Sequence, residues 1–277
     1  MGLDLRVFRE MDTAPFRQWE ERVNDRLPTI ATGVEQYASM PLLGSLEVRL
    51  VAKRTCRREH RAWVLKALEQ AGALGQSGLA TPAVRSLLAR AMSRFAAAAA
   101  AAEVRDHGPG KPVTLSIQPD RHNRTWLQPA PEWYWDHVLC HELTHVAQAA
   151  AASWTRGESL ERQWAATGAT DPADLSALEE GHADWVAQRW MAEAHPGCDE
   201  STLRFGARTR TRLLRTLLRP VVGAKAAGYT EGRAFAEAVY AHGGHELLHR
   251  AWAGLDNVPT RTEIREPERW IKRMGGR

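Results

Sequence analysis

The sequence predicts a mainly α-helical protein with a small β-sheet, an α+β fold class, from three observations. Hydrophobic residues make up 44% and charged residues 25% of the 277-residue chain, which is the balance of a globular protein with a core. A long segment from Trp133 to about Ala152 has the pattern of a continuous helix. The segment from Pro112 to Pro119 instead alternates and contains β-branched residues, which predicts a short strand.

The domain organisation follows from the length and from the breaks in the pattern. A chain of 277 residues allows one large domain or two small ones, and no repeat or long linker divides it, so we expect one compact unit. Residues 1–110 are expected to form a helical region that could cap a cleft, and residues 111–277 the catalytic region. Within the first region, Thr81-Pro82 is a typical helix start, and that helix is expected to run to about Asp106.

Further elements are expected around and after the long helix. Arg124–Gln128 is expected to pair with the strand. A second helix from about Ala177 to Ala194 follows a polar loop, and three more helical stretches are expected at about 202–218, 230–241 and 244–253.

Composition excludes several classes of protein. The N-terminus lacks the apolar stretch of a secretory signal, and no later run is long enough to span a bilayer. Cys56, Cys140 and Cys198 are too few and too scattered for a disulfide framework. The basic stretch at 53–61 has no interleaved aromatic residues and matches no nucleic-acid module. We therefore expect a cytoplasmic protein that binds neither membranes nor nucleic acid.

One motif in the long helix carries chemistry. His141 and His145 are four residues apart, so they share one helix face and can hold one metal ion. Glu142 follows the first histidine, which places its carboxylate beside the metal, where it can act as the general base toward a water molecule. The motif predicts Zn²⁺ as the cofactor and hydrolysis as the reaction.

A catalytic zinc site needs a third protein ligand, and the second helix supplies the candidates. Glu180 is the first choice because Asp184 lies one turn further along the same face. Asp184 can accept the second ring N–H of a ligand histidine and so fix its tautomer. Glu179 and His182 lie on other faces of that helix and remain rival ligands.

These residues resemble a known branch of metallopeptidases. An HExxH motif followed by a helix bearing Glu180 and Asp184 is similar to the gluzincins, which include the thermolysin-like enzymes. The resemblance implies a zincin-like fold, with Glu180 as the third zinc ligand and Asp184 as the group that orients His141. It also implies hydrolysis of peptide bonds, with a peptide or protein as the substrate.

The resemblance extends toward the C-terminus. The stretch from His141 through Leu178–Asp184 to Asn257–Arg261 and Trp270 is similar to an actinobacterial family of zincin-like metallopeptidases, type 2. Tyr229-Thr230-Glu231-Gly232 resembles the Tyr-x-x-Gly of zinc aminopeptidases, in which the tyrosine stabilises the oxyanion. That likeness implies Tyr229 as a second catalytic residue.

Alternatives stay open for the oxyanion donor and for the function. Thermolysin-like enzymes use a histidine as the donor, and His242, His245 and His249 are the candidates here. Two histidines and a carboxylate also form the facial triad of non-haem iron oxygenases, in which Glu142 would have no role. A catalytically silent zincin that acts as a binding module is the third alternative.

Overall fold

The computed structural model confirms a mainly helical fold with a small sheet. It describes residues 3–42, 44–73, 102–105, 112–119, 132–151, 172–198 and 212–275, together with short pieces of 82–90. Within these ranges, no helix is both long and apolar enough to cross a membrane. The expected pairing of Arg124–Gln128 and most of the expected helix at 202–218 lie outside the described residues.

Four strands form one mixed sheet in the order β1-β2-β4-β3. β1 pairs parallel with β2 and β2 parallel with β4, whereas β3 pairs antiparallel with β4 at one edge. The predicted strand within Pro112–Pro119 is confirmed as β4. The strands are β1 (Asp4–Arg9), β2 (Ser45–Leu50), β3 (Ala102–Arg105) and β4 (Val113–Ile117).

The expectation of a helical region over residues 1–110 is wrong at β1, β2 and β3. β2 carries a period-two signal, because Leu46, Val48 and Leu50 are buried and alternate with less buried residues. β3 lies where the alanine-rich helix was expected to end. Alanine favours helix, so pairing with β4 overrides the local preference there.

Helix α1 covers the interior with a regular apolar face. It runs from Ala14 to Ala38, and its buried residues recur every three or four positions. Full burial of each large apolar side chain contributes about 1.5–3 kcal/mol relative to exposure. α1 contacts both helices that carry the candidate site. Its buried apolar residues are Phe16, Trp19, Val23, Leu27, Ile30, Val34 and Ala38.

Three helices after the sheet contribute many of the remaining core residues. The two motif helices are confirmed as α3 (Glu132–Ala151) and α4 (Pro172–Ala194), after α2 (Lys53–Ala73) in the N-terminal half. α5 (Arg212–His249) runs without a break across the interval where the sequence predicts an interruption, between about 218 and 230. The break predicted before residue 244 is confirmed, because Gly243 and Gly244 are non-helical and Gly244 has φ +63°.

A buried carboxylate ties α3 to α1 and to the end of α4. The side chain of Asp136 on α3 is almost fully buried and accepts hydrogen bonds from Arg26 on α1. Its Oδ2 also lies 2.9 Å from Nε2 of His195, just after α4. A buried carboxylate is tolerable when paired and hydrogen-bonded in this way, so Asp136 fixes the position of the motif helix.

Residues between Asn257 and Trp270 hold the C-terminal segment in place. Thr260 caps α6 (Arg261–Arg265) in a reciprocal capping box with Glu263. The indole N–H of Trp270, which is fully buried in α7 (Pro267–Gly275), donates to the carbonyl of Asn257 at 2.7 Å. Arg261 pairs with Glu231 of α5 at 2.6 Å, which anchors this segment to α5.

Helices α4 and α5 cross in close contact at two glycines. A Cβ at Gly181 would overlap the backbone of Gly232, and a Cβ at Gly232 would overlap the carbonyl oxygen of Ala177. Glycine is required at both positions because of this contact, and the backbone φ of neither is positive. The two helices therefore approach more closely than any other residue would allow.

We expect Gly232→Ala to destabilise the protein although alanine favours helix. Overpacking of a tight contact costs about 1–3 kcal/mol, which lowers Tm by roughly 3–10 °C in a chain of this size. Thermal denaturation measures the effect. Gly228→Ala in the same helix is the control, since its Cβ would meet Ala177 at an ordinary 3.6 Å. An equal Tm for the two variants would contradict the close crossing.

Candidate metal centre

The two motif histidines lie side by side on α3. His141 and His145 are one turn apart, and their Nε2 atoms are 3.2 Å from each other. Their rings are nearly perpendicular, with centroids 4.8 Å apart. Both side chains are largely buried, and their Nε2 atoms face each other.

Helix α4 brings a carboxylate to the same point. Oε2 of Glu180 lies 3.2 Å from Nε2 of His141 and 3.7 Å from Nε2 of His145. The three side chains form a group that can hold a metal ion, with all ligand atoms within 4.8 Å of one another. The three residues come from two helices, and contact between α3 and α4 assembles the group.

The spacing of these atoms fits a tetrahedral metal. A tetrahedral zinc ion with bonds of about 2.1 Å holds its ligand atoms about 3.4 Å apart. The observed separations of 3.2, 3.2 and 3.7 Å are close to that value. Three protein ligands also leave a fourth position for water or substrate, as in catalytic sites.

The charges around the group favour a cation. Burial lowers the pKa of His145, but the hydrogen bond to Glu180 and the negative charges of Glu180 and Glu142 outweigh it and raise the pKa to about 9. A positive charge between the carboxylates is therefore stabilised where a metal ion would lie. Glu142 itself is half-buried beside the group.

Neither rival third ligand belongs to the group that could hold a metal ion. His182 is fully buried, its Nδ1 lies 3.0 Å from Nε2 of Gln148, and its ring packs against Trp185 and Trp252. Burial lowers the pKa of His182 to about 3, so it is neutral. Burial also raises the pKa of the Glu179 carboxyl to about 7. The carboxylate that joins the two histidines is that of Glu180.

Tyr229 of α5 lies directly against the candidate metal-binding group of His141, His145 and Glu180, called the metal group below. Its ring stacks on that of His141, with centroids 5.7 Å apart, and its hydroxyl donates a hydrogen bond to Glu180. Burial, the negative charge of Glu180 and this hydrogen bond raise the pKa of Tyr229. The phenol therefore stays protonated and remains a hydrogen-bond donor at neutral pH.

The alternative histidine donors contact other parts of the structure. His242 is exposed. His245 packs against Trp185 and Tyr240, and Nε2 of His249 donates to the carbonyl of Ala38 at 2.8 Å. The geometry therefore favours Tyr229 over these three as the residue next to the metal group.

Asp184 lies one turn beyond Glu180, as the sequence predicts. Its carboxylate is 3.8 Å from Nε2 of His137, accepts a hydrogen bond from Gln188 at 2.9 Å and pairs with Arg233 at 3.5 Å. These contacts place Asp184 in a polar cluster beside the metal group. Its orienting role toward His141 stays a prediction.

Sequence reasoning missed two polar residues of this region. His137 lies one turn before His141 on the same face of α3, and Gln148 lies one turn after His145. Oε1 of Gln148 is 2.8 Å from Nδ1 of His145. The spacing 137, 141, 145 and 148 is the sequence signal that could have identified both residues.

The chain is similar to a known protein family and to a solved structure. Residues 173–271 match the family model described as zincin-like metallopeptidase. The fold is similar to the crystal structure of a protein from Chloroflexus aurantiacus, provisionally described as a hydrolase with a novel fold. The two agree with a TM-score of 0.69 and 21% identity, over 96% of this chain and 92% of that chain. No curated protein matches the sequence.

The family match covers the helices that supply Glu180, Asp184 and Tyr229, together with the C-terminal segment through Trp270. The HExxH motif on α3 precedes the matched residues and meets them in space at Glu180. The resemblance to zincin-like metallopeptidases is therefore confirmed over residues 173–271.

Proposed function

We propose that this protein is a zinc-dependent metallopeptidase that hydrolyses peptide bonds. The observation that supports this most strongly is the spacing of the two Nε2 atoms and the Glu180 oxygen, which suits a tetrahedral ion. His141, His145 and Glu180 are the proposed zinc ligands. A thiolate-free site of two imidazoles and one carboxylate with an open fourth position is typical of hydrolytic zinc enzymes.

Glu142 is the proposed general base. When bound, a zinc ion lowers the pKa of a coordinated water toward about 7 and polarises the substrate carbonyl. Glu142 follows a ligand and lies beside the group rather than within it. Its carboxylate takes a proton from the attacking water, holds it and passes it to the nitrogen of the leaving amine. The peptide C–N bond breaks as that nitrogen is protonated.

Tyr229 is the proposed oxyanion donor. The carbonyl oxygen of the substrate gains negative charge during attack, and a preorganised donor stabilises it. The protonated hydroxyl of Tyr229 is held at the edge of the group by Glu180 and by stacking on His141. A small rotation of that hydroxyl would let it donate to the developing oxyanion instead of Glu180.

We expect Glu142→Gln to keep the metal and to lose turnover. An amide has the same shape but cannot accept the proton, so hydrolysis should fall by about 10²–10⁴-fold. Cleavage of a mixture of quenched fluorescent peptides, together with zinc content by elemental analysis, measures both properties. Glu246→Gln, which changes a highly exposed carboxylate on α5, is the matched control. Unchanged turnover in Glu142→Gln would refute the general-base role.

We expect Glu180→Ala to lose zinc, because two imidazoles alone hold the ion too weakly. Elemental analysis of protein purified without added metal should give about one zinc per wild-type chain, as expected for one three-ligand site. Glu179→Gln changes the neighbouring half-buried carboxyl and should retain the zinc. Loss of zinc in the Glu179 variant alone would move the third ligand to that residue. Iron in place of zinc would favour an oxygenase.

A further inference from the structure

Gln148 joins the two helices that carry the candidate metal ligands. Its side chain is almost fully buried at the end of the HExxH turn of α3. The amide nitrogen donates to the backbone carbonyl of Glu179 on α4 at 2.9 Å and lies 3.0 Å from Nδ1 of His182. The amide oxygen lies 2.8 Å from Nδ1 of His145. One side chain thus has three hydrogen-bonded partners.

The hydrogen-bond partners of Gln148 determine which end of its side-chain amide is the NH₂ group and which is the oxygen. A backbone carbonyl only accepts hydrogen bonds, so the atom of Gln148 facing Glu179 must be the NH₂ group. The opposite atom is then the amide oxygen, which also only accepts. Nδ1 of His145 must therefore carry a proton. When the ring is neutral, as a metal ligand must be, its lone pair lies on Nε2, the atom that faces His141 and Glu180.

The same reasoning determines the tautomer of His182. The second N–H of the Gln148 amide points at Nδ1 of His182, so that nitrogen must accept. An imidazole ring carries at least one N–H, and with Nδ1 as the acceptor that N–H is on Nε2. Among the described residues, Nε2 of His182 has no hydrogen-bond partner. Gln148 and the packing of Trp185 and Trp252 thus hold this ring in place.

We propose that Gln148 is a positioning residue for the metal centre, with His182 holding the Gln148 amide in its working orientation. The hydrogen-bond chain runs from the Glu179 carbonyl and His182 through Gln148 to His145. It fixes the tautomer and ring orientation of one ligand and sets the spacing between the ligand helices. This inference rests on the proposed function, since it assumes that His141, His145 and Glu180 bind zinc.

The first test compares zinc affinity in Gln148→Met and wild type by competition with a fluorescent chelator. Methionine keeps the length of the side chain but removes every hydrogen bond. Loss of a partner that orients a ligand weakens metal binding by about 10–100-fold. Thr144→Val is the matched control: it removes a buried hydrogen bond of the same helix, from Thr144 to the Cys140 carbonyl, outside the chain of contacts. We expect its zinc affinity to equal that of wild type.

The second test needs no variant. In wild-type protein labelled with ¹⁵N-histidine, long-range ¹H–¹⁵N correlations should show His182 as the Nε2–H tautomer. An Nδ1–H tautomer of His182, or equal zinc affinity in Gln148→Met and wild type, would overturn the inference and leave the proposed function intact. Absence of zinc binding by wild type would overturn the proposed function first and this inference with it.

Discussion

The crossing of α4 and α5 sets the geometry on which the candidate centre depends. Gly181 and Gly232 meet there with no room for a Cβ on either residue. Glu180 precedes the first glycine, and Tyr229 lies one turn before the second. Tight contact at the crossing therefore brings a carboxylate and a phenol from separate helices within hydrogen-bond distance. A wider separation would take the hydroxyl away from Glu180 and the ring away from His141.

Buried polar side chains on α3 are the second constraint. Burying such groups is unfavourable unless each has a hydrogen-bond partner. Asp136 meets this condition through Arg26 and His195, and Gln148 meets it through three partners on both sides of the α3–α4 contact. The same helix therefore supplies two of the three candidate ligands and the hydrogen bonds that hold it in register. The interior face of α3 therefore carries a polar residue about once per turn. Some of these residues are candidate ligands, and the others make the hydrogen bonds that hold the helix.

Residues 173–271, which match the zincin-like family model, include structural residues as well as the candidate ligand Glu180. Trp270 and Asn257 close the C-terminal segment on itself, and Arg261 binds Glu231 on α5. Glu231 lies between Tyr229 and Gly232, so this ion pair acts on the part of α5 that faces the metal group. The C-terminal segment therefore packs on the part of α5 that carries Tyr229.

The sequence by itself determined the elements whose signals are local. Helical periodicity predicts α3 and α4, β-branched alternation predicts β4, and the four-residue spacing of His141 and His145 places both on one face. The choice of Glu180 over Glu179 required a partner one turn away, which the sequence also contains. The predictions of α3, α4 and β4 are confirmed because a helix or strand fixes the relative direction of its own side chains.

The tertiary structure decided what depends on contacts between distant segments. β3 forms at the end of an alanine-rich stretch because β4 pairs with it. Tyr229 meets Glu180 because two glycines permit a close crossing, and Gln148 meets His182 because α3 packs on α4. Spacing along the chain carries no information about the distance between two helices. That distance is set by side-chain volume at the contact, and only the folded chain brings those side chains together.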